Sequence, residues 1–209
     1  MDYANAAILL GIGFVVGISG AIMPDPLLIY TIQESLKKGK WVGALVILGH
    51  AIVEVFIFLL LALGLLSFFS APEFTKTFSI IGGAALILMA FDSIKDLGSK
   101  VDIKLKKRSY GLVMGGIIFT AFNPGFPIWW LTAGTRLLME GYAQMGLTGM
   151  LIVLVGHWGA DLGWFLFVSF TASKGSRLLF EKGWYKGIRI LLAGMLAVIG
   201  IYFIWTGIR

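Results

Sequence analysis

Apolar residues run along this chain in six long stretches, and the charges collect in the short segments between them. The stretches cover about residues 4–32, 41–70, 77–94, 110–135, 142–173 and 188–208. Each is close to or beyond the roughly 20 residues that a helix needs to cross a bilayer. They are continuous rather than alternating, which in hydrocarbon predicts helices and not the short strands of a barrel. The second and fifth stretches reach about 30 residues, or about 45 Å of helix, so tilt or protruding ends are expected.

Composition strengthens the pattern. Hydrophobic residues make up 58% of the 209, charged residues only 13%, and the mean hydropathy is +0.92, a balance that leaves too little polar surface for a water-soluble domain. One transmembrane domain over residues 1–209 is therefore expected, of all-α integral membrane class. The absence of Cys excludes disulfides, thiolate metal sites and thiol redox chemistry. Met1-Asp2 offers no basic region ahead of the first stretch, which is read as a mature span rather than a signal.

The net charge of +6 changes the picture only through its placement. Lys37, Lys38 and Lys40 lie in one connection; Lys95, Lys100, Lys104, Lys106, Lys107 and Arg108 in a second; Lys174, Arg177, Lys182, Lys186 and Arg189 in a third. Fourteen of the 17 basic residues thus share one side, against Lys76, Arg136 and Arg209 on the other. The positive-inside rule makes the first side cytoplasmic and puts both termini outside a multi-pass protein of the cell membrane. The basic charge reads as a topology signal, and no nucleic-acid partner is expected. The lipid bilayer, protons and a small-molecule or ion substrate are the expected partners, with a homodimer as a further expectation and no cofactor.

The halves repeat each other. Ala44–His50 aligns with Leu151–His157 as ALVILGH on LIVLVGH, and each His precedes an acid by four residues, Glu54 and Asp161. Closely spaced prolines break the first helix of each half, in Met23-Pro24-Asp25-Pro26 and in Asn123-Pro124-Gly125-Phe126-Pro127. Three spans per half is an odd number, so the second copy must enter the membrane from the opposite face. The expectation is two inverted three-helix repeats, about 1–96 and 110–209, joined by a cytoplasmic linker of about 97–109. Inverted repeats with interrupted helices at matching positions are a recurring design of secondary transporters, with the site near the midplane between them.

Two constellations carry the chemistry. Proline lacks the amide donor and clashes with the preceding turn, so Pro24, Pro26, Pro124 and Pro127 should kink or unwind their helices. Asp25-Pro26 and Asn123-Pro124 both read as an N-cap followed by Pro at the first helical position. Capping alone accounts for Asp25 and Asn123; the functional reading adds substrate binding at the breaks, by Pro24, Asp25, Pro26, Asn123, Pro124, Gly125, Pro127 and Trp129. The second constellation is buried charge. Glu54 and Asp161 fall about mid-span, where a carboxylate costs about 2.5–3.5 kcal/mol, and no Lys or Arg lies at matching depth. His50 and Glu54, like His157 and Asp161, are four apart and share a helix face. The four are candidate carriers of a proton or cation; the plainer alternative is a polar clip that glues helices together. Trp129-Trp130, Trp41, Trp184, Tyr185 and Trp205 read first as interfacial belts or packing, with Trp129-Trp130 placed to wall a pocket. Gly11-Ile-Gly13 is no nucleotide fingerprint, because no strand precedes it.

Taken together, the proline-interrupted first helix, the basic turn Lys37-Lys38-Gly39-Lys40, Gly43, Glu54 ten residues before Gly64, Gly82-Gly83-Ala84-Ala85-Leu86, Asn123-Pro124 and the glycine-punctuated last helix ending near Arg209 resemble the LysE (lysine exporter) translocator family over nearly the whole chain. The resemblance implies a transporter rather than an enzyme, exporting amino acids or related small metabolites with the proton gradient. Where that family usually has Pro-Gly-Pro, this chain has Pro24-Asp25-Pro26, and Glu54 stands where Asp is usual. His50, His157 and Asp161 are departures from its commonest members. The additional acid favours a cationic ligand, a proton or a metal ion. A divalent metal cation exporter, with His50, Glu54, His157, Asp161 and Asp25 as ligands, is therefore the alternative. A thiol-disulfide electron carrier, which shares proline-broken helices, is excluded by the missing Cys.

Overall fold

The computed structural model describes residues 3–23, 25–63, 72–95, 109–181 and 184–209. Among these there are helices and no strand. The helices are α1 (Tyr3–Ala21), α2 (Pro26–Lys38), α3 (Val42–Ala62), α4 (Pro72–Lys95), α5 (Ser109–Ala121), α6 (Gly125–Trp129), a π-helical turn Trp130–Gly134, α7 (Thr135–Glu181) and α8 (Tyr185–Ile208). Four candidate spans are long and apolar enough to cross a membrane: Tyr3–Ala21, Val42–Leu61, Gly125–Gly175 and Lys186–Ile208. Lys76–Phe91 and Gly111–Ala121 are shorter apolar helices.

Every expected stretch contains helix, but one boundary differs. The fourth and fifth stretches were expected to part between about 135 and 142, whereas the chain stays helical until Met145 and Gly146, the two non-helical residues inside α7. Gly146 has φ of 59°, a left-handed conformation that glycine adopts without a Cβ penalty. The chain reverses there: a Cβ on Gly141 would strike the Gly149 carbonyl, and one on Gly149 the Gly141 carbonyl. A single positive-φ glycine makes the turn, so no polar loop was needed to mark it. The linker expected over about 97–109 lies outside the described residues except for Ser109, which begins α5.

The helices pack crosswise. α1 lies along α7, α3 along α5 and α4 along α8, while α2 touches α7, α3, α5 and α8. Glycines set the closeness of these contacts. Cβ atoms on Gly13 and Gly156 would meet the carbonyls of Val153 and Leu10, and on Gly49 and Gly116 those of Val113 and Val46. Small residues at helix crossings let backbones approach where lipid supplies no hydrophobic drive. The first helix of each half is thereby pressed against the second helix of the other. Outer faces remain apolar, with Leu48, Phe56, Leu88 and Val198 exposed. Trp41, Trp184 and Trp205 are also exposed, and Lys40 and Arg209 lie over the rings of Trp41 and Trp205.

Candidate functional site

The two breaks have the same hydrogen-bond form. At the first, Ile22 N–H donates to Ile18 O and Met23 N–H to Gly20 O, both at 3.1 Å; at the second, Phe122 N–H donates to Ile118 O at 3.0 Å and Asn123 N–H to Thr120 O at 3.1 Å. One four-residue bond is followed by one tighter three-residue bond, and then the chain leaves the helix. Pro24 lies outside the described residues. Asp25 caps α2 as expected: its Oδ1 accepts from Leu28 N at 2.7 Å, and Pro26 occupies the first turn. Such a carboxylate satisfies one of the amides that a helix start leaves orphaned.

The second break bears out one expectation and corrects another. Asn123 caps as expected: its Oδ1 accepts from Gly125 N at 3.0 Å, its carbonyl accepts from Phe126 N, and Pro124 directly ahead of α6 has helical dihedrals, φ −62° and ψ −22°. Pro127 breaks nothing. It is the third residue of α6, where its missing N–H is one that the first turn leaves unused anyway. The backbone irregularity past it is the π-helical turn at Trp130–Gly134. Asn123 Nδ2 donates to Asp25 Oδ2 at 3.2 Å, so the two breaks meet side chain to side chain.

Beside that meeting point lies a cavity of about 260 Å³. Its walls include Asp25, Pro26, Asn123, Gly125, Phe126 and Trp129 from the breaks, and His50, Glu54, His157 and Asp161 from α3 and α7. No Lys or Arg is among its lining residues. The two His–acid pairs converge: one ligand atom from each of the four lies within 4.8 Å of the others. His50 Nε2 is 3.1 Å and His157 Nε2 2.8 Å from Glu54 Oε1; the same nitrogens are 3.8 and 3.2 Å from Asp161 Oδ2. Histidine therefore alternates with acid around a ring. The cross-helix neighbours are His50–Asp161 and His157–Glu54, the order produced when the two pairs run in opposite directions.

Tryptophans complete the site, and sequence reading found only part of their role. Trp130, 1% exposed, donates from Nε1 to Glu54 Oε1 at 3.3 Å, and Trp158 donates to Glu54 Oε2 at 2.7 Å. Trp129 stacks on His157 with centroids 4.9 Å apart. His50 Nδ1 pairs with Thr120 Oγ1 at 2.9 Å, just before the second break. Trp158 and Thr120 carried no signal of their own; the weak clue for Trp158 was its place directly after His157. The residue contacts leave an asymmetry. Glu54 is surrounded by donors, whereas Asp161 Oδ2 and His157 Nδ1 are buried without a hydrogen bond. Asp25 stands apart from the four, with both oxygens already engaged.

A pair of interrupted helices beside a largely apolar cavity into which His50, Glu54, His157 and Asp161 converge, in an otherwise apolar helical chain, is the arrangement expected of a membrane translocator. The family model for LysE type translocators matches residues 18–207. The chain belongs to the LysE type translocator family. The match takes in both breaks and both His–acid pairs, and with the apolar helices it makes this LysE-family chain a multi-pass membrane protein. Neither the curated proteins nor the solved structures contain a match to it.

Proposed function

We propose that this chain is a six-span secondary transporter of the cytoplasmic membrane, built as two inverted three-helix halves, which exports amino acids or related small metabolites in exchange for protons. The observation that carries the reading is the convergence of both helix breaks and both His–acid pairs on one cavity. A transporter that exposes one site to each side in turn needs such a site between its halves. The inverted repeat is further supported by the crosswise glycine contacts and by the opposed order of the two pairs. Both termini lie outside in this reading.

The roles follow from the contacts. Asp25, Pro26, Asn123, Gly125 and Trp129, which line the cavity, form the substrate cradle, shaped on one side by Pro124 and Pro127 of the second break, with recognition resting on side chains because Asp25 and Asn123 already occupy the first amides of α2 and α6. Glu54 anchors both histidines, and Asp161, with an oxygen free of hydrogen bonds, exchanges the proton. The test is flux through vesicles that contain the purified chain, loaded in turn with a panel of amino acids and divalent metals, with and without a pH gradient. Amino-acid efflux that depends on the gradient and collapses in Glu54→Gln is expected. Metal flux without amino-acid flux would replace this reading by the second one, a divalent cation exporter, which the convergence of His50, Glu54, His157 and Asp161 favours.

A further inference from the structure

The ring of His50, Glu54, His157 and Asp161 is poorly explained as a polar clip. A clip is stable when each buried acceptor receives a donor. A neutral imidazole has one N–H to give, and the Nε2 atoms of both histidines approach Glu54 Oε1, which Trp130 also reaches. Asp161, 3% exposed, is then left with Oδ2 facing two imidazole nitrogens and accepting from neither. Asp161 Oδ2 is thus a buried acceptor that a small cation among the four side chains would satisfy.

We infer that the ring binds one divalent first-row transition cation, through His50 Nε2, His157 Nε2, Glu54 Oε1 and Asp161 Oδ2. Neighbouring ligand atoms are 2.8, 3.1, 3.2 and 3.8 Å apart. Tetrahedral ligands at zinc-like bond lengths stand about 3.3 Å from one another; the four edges of the ring are within about half an ångström of that, and its diagonals, within 4.8 Å, close by up to about 1.5 Å as the side chains turn inward on a cation. The donor set decides the class of ion. Two imidazoles and two carboxylates suit zinc, cobalt, nickel, iron or manganese. Magnesium and calcium prefer six or more oxygens, and the chain has no Cys to favour a softer ion.

Two of the four side chains, His50 and Glu54, have the surroundings that metal ligation favours, whereas His157 Nδ1 has no partner. A ligating histidine donates its other ring N–H to a partner that fixes its tautomer, and ligating carboxylates are themselves hydrogen-bonded. Thr120 Oγ1 is that partner for His50 Nδ1, and Trp158 holds the Glu54 oxygen that faces away from the ring. Each half supplies one histidine and one acid, so the cation bridges the halves, and separating them leaves only two ligands on each side. As cargo, the cation rests on the export reading above; as a bound ion, it does not.

The test is equilibrium binding of Zn²⁺ and Co²⁺ to the purified full-length chain in detergent, with Co²⁺ absorption reporting geometry, beside metal and amino-acid flux in vesicles. One ion per chain and the intense visible bands of four-coordinate Co²⁺ are expected. Asp161→Asn and His157→Gln should weaken binding at least 100-fold, and Thr120→Val about 10-fold, the scale of losses seen for groups that orient ligands. Retention of the wild-type near-ultraviolet tryptophan dichroism identifies variants that are folded. Absence of stoichiometric binding, or binding unchanged in folded Asp161→Asn and Thr120→Val, overturns the site. Amino-acid flux without any metal binding does the same and leaves the export reading standing. Metal binding with flux of neither cargo supports the site and overturns the export reading.

Discussion

Glu54 and Asp161 hold matching places in the two halves, each four residues after a histidine that follows a glycine, yet their surroundings differ. Glu54 accepts from two indoles and lies within 3.1 Å of both imidazoles. Asp161 meets the imidazoles alone, at 3.2 and 3.8 Å. The difference arises outside the repeated residues. His157 is followed by Trp158, whose indole crosses to Glu54, whereas His50 is followed by Ala51, which has no donor to return to Asp161. A repeated motif thus holds one acid locked by donors and one with an oxygen free of hydrogen bonds.

The comparison can be broken most sharply at Glu54. Glu54→Ala strands the donors that surround it, and loss of one partner from a buried charged network costs about 3–5 kcal/mol. A large fall in Tm in detergent, together with loss of flux, is expected; an unchanged Tm would make the two acids equivalent. Trp158→Phe removes one charge-assisted bond and should cost about 1.5–3 kcal/mol. Its Tm should fall clearly below that of Trp205→Phe at the exposed end of α8. Gly17→Ala places a methyl against His157 Nδ1 and Cα and should cost about 1–3 kcal/mol, whereas Gly11→Ala, which meets nothing, should be neutral or slightly stabilising. Asp161→Asn sharpens the contrast from the other side: stability should change by less than about 1 kcal/mol, while proton-dependent flux falls at least tenfold.

The sequence made the helical class, the two breaks and the two His–acid pairs legible, because each is a local pattern that lipid permits few ways to satisfy. Capping by Asp25 was equally local and is as expected. The role of Pro127 was misread because proline is disruptive only where an amide is needed, and the first turn of α6 needs none there. Trp130, Trp158 and Thr120 could not be assigned from the chain, since which helix their polar atoms reach is decided by tertiary packing. Nor does spacing reveal that the pairs meet: four-residue periodicity sets the face that His50 and Glu54 share, not the helix opposite it.

The tight reversal at Met145 and Gly146 has a mechanical consequence. With Gly141 and Gly149 in close backbone approach across it, the two arms of α7 are joined with no loop between them. One arm begins at the π-helical turn past the second break; the other carries His157 and Asp161. A shift of the first arm at the second break would therefore reach those two side chains through the reversal, with the interrupted backbone at 122–124 as the place for it to bend.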